Sequence, residues 1–357
     1  MNIAFFGSSL VSAYWNGAAT YYRGVIRALH DLGYSVTFYE PDAYQRQQHR
    51  DIDDPTWSRV VVYDASIEGM KRALASARSA DVIVKASGVG VFDRELEAAV
   101  LDGPAGRLAV FWDVDAPATL DRMRDDPDDP FRALVPQYDL IFTYGGGDPV
   151  VRAYQAFGAR ECVPIYNALD PSTHHPVEPD PRFAGLLGFL GNRLPDREAR
   201  VDEFFFASAS ALPDQSFLLG GSGWSDKPMP ANVKYIGHVF TADHNALNCT
   251  PRAVLNISRE SMARYGFSPA TRVFEAAGVG ACLITDAWEG LDRFLEPGVE
   301  VLVARSAAEV VDHLRRLTPA AARAIGAAAQ RRILASHTYA HRAAQVAALL
   351  ERRDALV

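Results

Sequence analysis

The chain has 357 residues, 48% hydrophobic and 22% charged, and its 36 Lys+Arg against 44 Asp+Glu give a formal net charge of -8. That is the balance of a soluble globular protein, and at roughly 150 residues per domain it fits two domains with separate cores better than one small binding module. The acidic excess offers no long-range attraction to phosphate backbones or anionic lipid, so nucleic acid is not an expected partner and any phosphate-bearing ligand must be held by local geometry.

Ile3 to Phe6 is a short apolar run ending in Gly7-Ser8-Ser9, and Val25, Ile26 and Leu29 then fall at helical spacing between Ala18 and Leu32. Gly33 stops that helix, and Ser35-Val36-Thr37-Phe38-Tyr39 has the β-branched and aromatic character of a second strand. A βαβ unit therefore closes within the first forty residues, and further apolar runs at Ala80–Val84, Leu108–Phe111 and Leu140–Thr143 continue the rhythm of a parallel sheet. Asn167 to Pro171, followed by Pro176, Pro179 and Pro181, is dense in proline and polar residues and reads as a hinge. After it the pattern restarts, with strands at Leu186–Leu190, Ser216–Leu219, Val233–Ile236, Ala253–Ile257 and Ala281–Thr285, and a helix from Arg197 to Ala211. The expected architecture is α/β, two Rossmann-like domains facing a cleft: 1–175, 176–335, and a final helix from 336 to 357 that returns to the first domain. In open parallel sheets ligands lie beyond the carboxyl ends of the strands, so the loops after Phe6, Phe111, Leu190, Ile236 and Ile257 are expected to carry the site.

Cys162, Cys249 and Cys282 are far apart and never in a Cys-x-x-Cys pair, which argues against a disulfide framework or a structural zinc site. The first residues have neither the basic start nor the apolar stretch of a signal peptide, and no apolar run approaches ~20 residues. A cytoplasmic location without a transmembrane segment is expected.

The most informative segment is Tyr265-Gly266-Phe267-Ser268-Pro269-Ala270-Thr271-Arg272-Val273-Phe274-Glu275, running to Gly278 and followed by an apolar strand. A glycine turn feeds a helix whose first N–H groups can hold an anion, and Glu275 on that helix can accept hydrogen bonds from a ribose. Gly191-Asn192-Arg193 and then Arg197 follow the first strand of the second domain, where a guanidinium can grip phosphate oxygens bidentately, Arg193 being the favoured candidate. Arg197 could equally pair with Asp196 or Glu198.

These segments, in this order, resemble the GT-B glycosyltransferases, in particular the family-4-like "glycosyl transferases group 1" and the spore-maturation CgeB-like proteins, whose pattern ends in Arg-x-Phe-Glu-Ala-x-x-x-Gly. The chain departs from the family-4 pattern where its first glutamate stands, eight residues before the second, and carries Phe267 there. The resemblance implies transfer of a sugar from a nucleotide-diphosphate sugar to a glycan, lipid-linked or small-molecule acceptor, with no cofactor and no metal. It places Gly17, Gly191, Asn192, Arg193, Arg197, His238, Tyr265, Gly266, Phe267, Ser268, Arg272 and Glu275 at the donor. Ser8, Asn16, Tyr144 and Gly145 fall on the acceptor side. Asp113 and Asp115, two apart past a strand end, are the catalytic candidates: in extended backbone both carboxylates would share a face, with Asp115 as base and Asp113 as its support, or one of them caps the next helix. Thr173-His174-His175 has no accompanying carboxylate cluster in sequence, and Asp125 to Asp129 reads as a solvated loop. The missing Gly-x-Gly-x-x-Gly weakens a nicotinamide reading. An epimerase-like enzyme acting on nucleotide sugars, or a non-catalytic binding protein of the same architecture, are the alternatives.

Overall fold

The structure of the protein, a computed structural model, describes residues 1–354. It divides into two compact units, residues 1–167 with the segment beginning at Tyr339, and residues 168–338.

In the first unit β1 (Asn2–Phe6), α1 (Ala19–Asp31), β2 (Ser35–Asp42), β3 (Arg59–Asp64), α2 (Ile67–Ser76), β4 (Val82–Ala86), α3 (Asp93–Ala99), β5 (Leu108–Asp113), α4 (Ala116–Asp125), α5 (Phe131–Leu134), β6 (Leu140–Thr143), α6 (Gly147–Ala156) and β7 (Cys162–Pro164) follow one another. The strands form one parallel sheet in the order β3-β2-β1-β4-β5-β6-β7. β4, β5 and β6 are buried at every position, as a sheet covered on both faces requires. On one face Phe5 stacks on Phe38, with Tyr22 and Trp112 around it; on the other, Phe6, Ile83, Phe111 and Ile141 join one core cluster. α1 ends in a Schellman turn: Gly33, at φ +91°, donates to His30 and Tyr34 donates to Leu29. The edge strands β3, with its apolar run Val60-Val61-Val62-Tyr63, and the three-residue β7 are additional to the strands expected from sequence, and only part of each is buried.

The second unit contains β8 (Leu187–Leu190), α7 (Pro195–Val201), α8 (Ala207–Ala211), β9 (Phe217–Gly220), β10 (Val233–Tyr235), α9 (His244–Cys249), β11 (Ala253–Asn256), α10 (Glu260–Tyr265), α11 (Thr271–Gly278), β12 (Leu283–Asp286), β13 (Leu302–Ala304), α12 (Ala307–Arg316) and α13 (Pro319–Ser336). Its parallel sheet runs β10-β9-β8-β11-β12-β13. The single helix expected over 197–211 is interrupted by a π-helical turn at Asp202–Phe206. Phe204, Phe205 and Phe206 in that wider turn are all buried.

α14 (Tyr339–Asp354) belongs to the first unit and packs on α1. The Tyr339 ring occupies the space left by Gly24, where a Cβ would sit 2.3 Å from it, and Tyr339 Oη donates to Asn167 Oδ1 at 2.5 Å. The units divide at Asn167/Ala168 and Thr338/Tyr339, whereas the proline-rich run pointed to 175 and 335. Leu169 explains the earlier division: its N–H donates to His337 O and its side chain fills the gap at Gly278, both within the second unit. No helix among the described residues is long and apolar enough to cross a membrane.

Candidate functional site

In each unit the strand order reverses beside the first strand, between β1 and β4 and between β8 and β11. Such a switch point opens a crevice beyond the carboxyl ends of the strands, so the loops after these strands are the places to examine.

In the second unit the loop after β8 is fixed by its backbone. Gly191 N–H donates to Gly220 O, Arg193 N–H to Ser222 O, and Ser222 N–H to Asn192 Oδ1. Arg193, the favoured phosphate ligand from sequence, is committed elsewhere: Nε and Nη2 donate to Glu198 at 2.8 Å each, and Nη1 pairs with Asp226 at 3.0 Å. Arg193 and Lys227 together hold the Glu198 carboxyl down to about 2. The alternative pairing of Arg197 with Glu198 is therefore pre-empted by Arg193.

Arg197 and Arg272 have the opposite character. The Arg197 guanidinium lies 5.7 Å over the Phe189 ring and gives one N–H to Asn192 O at 2.5 Å, while its Nε is buried without a partner. Gly191 makes room for it, since a Cβ there would come within 2.9 Å of Nη2. Arg272, in the first turn of α11, has a buried Nη1 with no partner. Burial lowers the affinity of both guanidiniums for their protons; repulsion from Arg197 adds to the effect on Arg272, Glu275 opposes it, and Arg272 is brought down to about 10, still a cation at neutral pH. No side chain caps α11, so two desolvated cations and a helix N-terminus are assembled with nothing negative to complete their hydrogen bonds. Such a group is costly unless an anion occupies it.

Glu275 sits one turn further along α11, with His174 Nε2 at 3.6 Å from its carboxylate and His244 in its field. The structure thus supplies the carboxylate that sequence spacing did not offer His174. His244 donates through Nε2 to Val239 O, 3.2 Å away, and burial keeps it below the ordinary histidine range. Neither histidine carries a sequence signal, because the contact depends on α9 and the segment after Asn167 converging on α11. Among the described residues no group of three His, Cys, Asp or Glu could hold a metal ion.

The turn into α11 needs its glycine: Gly266 has φ +69° and ψ -178°, a region side chains avoid. Phe267 is packing, with its ring against Gly290 and under the Arg293 guanidinium at 4.7 Å. Tyr265 closes α10 beside Arg264, and Ser268 is half-buried before α11. His238 is exposed past β10, edge-on to the exposed Phe240 ring at 4.8 Å.

In the first unit Asp113 and Asp115 do not share a face. Asp113 is 0% exposed: Oδ1 accepts from Ser87 Oγ (2.7 Å), Thr119 Oγ1 (3.1 Å) and the Asp115 N–H (3.0 Å), and Oδ2 from Tyr154 Oη (2.5 Å). Asp115, at φ -145° and ψ 60°, leaves the extended conformation, occupies the N-cap position of α4 without a capping hydrogen bond and is exposed. Asp113 is thus an anchor that fixes the backbone of Asp115. Ser8 and Asn16 are also internal: Ser8 Oγ donates to Asn16 Oδ1, and Asn16 Nδ2 donates to Ser9 O and Ser12 O. Gly17 is exposed and a Cβ there would meet nothing, so no close approach demands it. Tyr144 accepts from Asn167 Nδ2 and packs edge-on against Tyr21, and Gly145 is buried beside it. Asp129, read as part of a solvated loop, is buried at 3.0 Å from Arg122 Nε.

Residues 197–348 match a family model described as glycosyl transferase-like. No curated protein matches the sequence. Sucrose-phosphate synthase from Thermosynechococcus elongatus is similar in structure, with a TM-score of 0.70 at 15% identity over 100% of both chains. HepE from Anabaena, in complex with UDP-glucose, gives 0.69 at 15% identity over 99% of this chain and 100% of that one. AviGT4, a glycosyltransferase involved in avilamycin A biosynthesis, gives 0.62 at 17% identity over 100% of this chain and 99% of the other. The chain has the GT-B fold, two Rossmann-like α/β units, and its glycosyl transferase-like region contains the paired arginines and Glu275.

Proposed function

We propose that the protein is a glycosyltransferase that moves a sugar from a nucleotide-diphosphate sugar to an acceptor hydroxyl without a metal ion. The observation that carries this reading is the pair of buried, unpartnered guanidinium nitrogens, Arg197 Nε and Arg272 Nη1, beside the uncapped start of α11. As the bond between the sugar and the diphosphate breaks, negative charge grows on the departing phosphate oxygen. Preorganised guanidiniums and helix N–H groups are suited to stabilising it, which is the work a divalent cation would otherwise do. Glu275 accepts from the ribose hydroxyls, with His174 and His244 setting its surroundings. Asp115 takes the proton of the acceptor hydroxyl, held in place by Asp113 through its backbone N–H. Gly191, Asn192 and Gly266 shape the donor loops, and Ser8, Asn16, Tyr144 and Gly145 shape the acceptor side.

HepE is seen with UDP-glucose and with UDP and glucose, so UDP is the first nucleotide to test. Phe267 in place of the family-4 glutamate favours a CgeB-like branch of the fold. The three cysteines, all free thiols, suit a reducing cytoplasm.

The test is incubation with a panel of nucleotide sugars in EDTA, with and without candidate acceptors, following release of nucleoside diphosphate. Release of the diphosphate, faster with an acceptor, is the expected result. Donor epimerised without acceptor, donor left unchanged, or turnover restored only by magnesium or manganese would overturn the reading.

A further inference from the structure

The loop between β1 and α1 and the turn after β2 place large rings in water at the carboxyl edge of the first sheet. Trp15 is 83% exposed and Tyr44 54%, and Tyr14 stacks on His49 at 4.1 Å between centroids, with Trp15 edge-on to it. Trp15, Tyr44 and Gln45 have φ of +48°, +57° and +57°, conformations that bulky side chains avoid and that persist only where surrounding contacts impose them. Those contacts come from Arg46. Its buried guanidinium donates to Ser8 O (3.2 Å), Val89 O (3.4 Å) and Trp15 O (3.5 Å) and lies 5.0 Å under the Tyr44 ring, while Tyr44 Oη is tied to Gly90 O at 2.6 Å. The Tyr44 ring is thus held by Arg46 and Gly90, and the Trp15 backbone by Arg46, with the Trp15 ring left in water.

We infer that Tyr14, Trp15 and Tyr44 form a stacking platform for a neutral saccharide, which, on the transfer reading above, is the acceptor. A sugar ring presents polarised C–H bonds on its face, which suit the electron-rich face of an aromatic ring, and hydroxyls on its edge, which need acceptors. The edge chemistry is adjacent. A hollow of about 700 Å³ lined by Arg50, Asp51, Ile52, Asp53 and Asp54 abuts the same loop, because the Asp51 N–H donates to Val11 O and Asp51 Oδ1 accepts from the Ala13 N–H. On that rim Asp51 is paired with Arg23 and Asp54 with Arg50, which leaves Asp53 to accept from hydroxyls, and the net charge of -8 disfavours an anionic bilayer or a nucleic acid in the same place.

The full chain, saturated with UDP, is tested on an array of immobilised neutral and acidic oligosaccharides, beside phosphatidylglycerol vesicles and a sedimentation run. Wild type is expected to retain at least one neutral saccharide, Trp15→Ala to bind it about tenfold more weakly, and Trp15→Phe to keep most of the affinity. Exposure of Trp15 leaves the fold of both variants intact, and unchanged UDP affinity checks this. Retention of no neutral saccharide, equal retention by Trp15→Ala, a preference for acidic glycans or vesicles, or self-association lost in Trp15→Ala would each overturn the inference. Failure of wild type to bind UDP would instead count against the transferase reading, since the saccharide titration is read independently of it.

Discussion

The two units solve the same topological problem and finish it in opposite ways. Counted within each, both sheets run 3-2-1-4-5-6, the first with one strand more, and both send a glycine-led loop from the end of the first strand. In the first unit that loop is satisfied from within: Ser8 and Asn16 bond to each other, Glu40 receives Ser9 Oγ and the Leu10 N–H, and Arg23 Nε donates to Leu10 O. In the second unit the loop's backbone is equally well tied, and two side chains that converge on it, Arg197 and Arg272, keep buried nitrogens without partners, where the first-unit loop has one such guanidinium, Arg46, through its Nε. Two such arginines at one helix start are what the proposed donor site rests on, and a Gly-containing motif locates the loop without deciding which of its residues is available.

The largest effect that would sharpen this contrast is expected in the first unit, where the two aspartates have been separated into one anchored and one exposed. Asp115→Asn is expected to lower turnover ~10²–10⁴-fold, the usual cost of losing a general base, with UDP affinity unchanged. Asp113→Asn is expected instead to destabilise the fold by ~2–4 kcal/mol in urea titration, because a buried acceptor of four donors is altered. Normal turnover in the Asp115 variant places the base elsewhere.

Next in size is the arginine comparison in the second unit. Arg272→Ala is expected to cut turnover ~10²–10³-fold and to weaken UDP measurably by calorimetry, as removal of a preorganised charge donor does. Arg193→Ala, whose partner is Glu198, should change UDP affinity less than about threefold, as side chains outside a site do. The reverse order of effects would return the phosphate site to Arg193.

The different pairing of these arginines shows where sequence was sufficient. The alternation of buried strands and amphipathic helices made both sheets legible, since the central strands are largely apolar, Lys85, Asp113 and Asn256 being the polar residues near their ends. The loop after β8 and the start of α11 were legible for the same reason. Which arginine is already ion-paired was not, because Glu198 and Asp226 reach Arg193 from five and thirty-three residues away and only the fold brings the second of them there. The interior position of Asp113 was hidden likewise, its donors Ser87 and Tyr154 lying on other elements. Edge strand β13 escaped because it is only three residues long, whereas β3 carries the apolar run Val60-Val61-Val62-Tyr63 and was open to reading.

A smaller effect tests Glu275, whose proposed role as a ribose acceptor depends on its place beside the arginines. Glu275→Ala should weaken UDP by ~1.5–3 kcal/mol, as loss of a hydrogen bond to a charged acceptor in a partly buried site does. Unchanged UDP affinity with the fold intact removes Glu275 from the site and leaves only the arginines there.

The smallest expected effect comes from His244, and its sign follows from its surroundings. Burial holds its folded-state affinity for a proton below the ordinary value of 6.5; Arg272 and His174 add repulsion, while Glu275 and the Val239 carbonyl oppose it. The unfolded chain therefore binds more protons than the folded one as pH falls through ~6.5, and by linkage the stability present above that value is lost on acidification. Since His244 is only partly enclosed, the loss attributable to it should stay under ~1 kcal/mol between pH 7.5 and 5.5. Urea titrations of wild type and His244→Gln at both values isolate it, because glutamine can keep a hydrogen bond to Val239 O but does not titrate. Wild type should lose more stability than the variant over this interval. Equal losses would show that His244 titrates alike in both states, and that the cationic crowding around α11 stops at the two arginines.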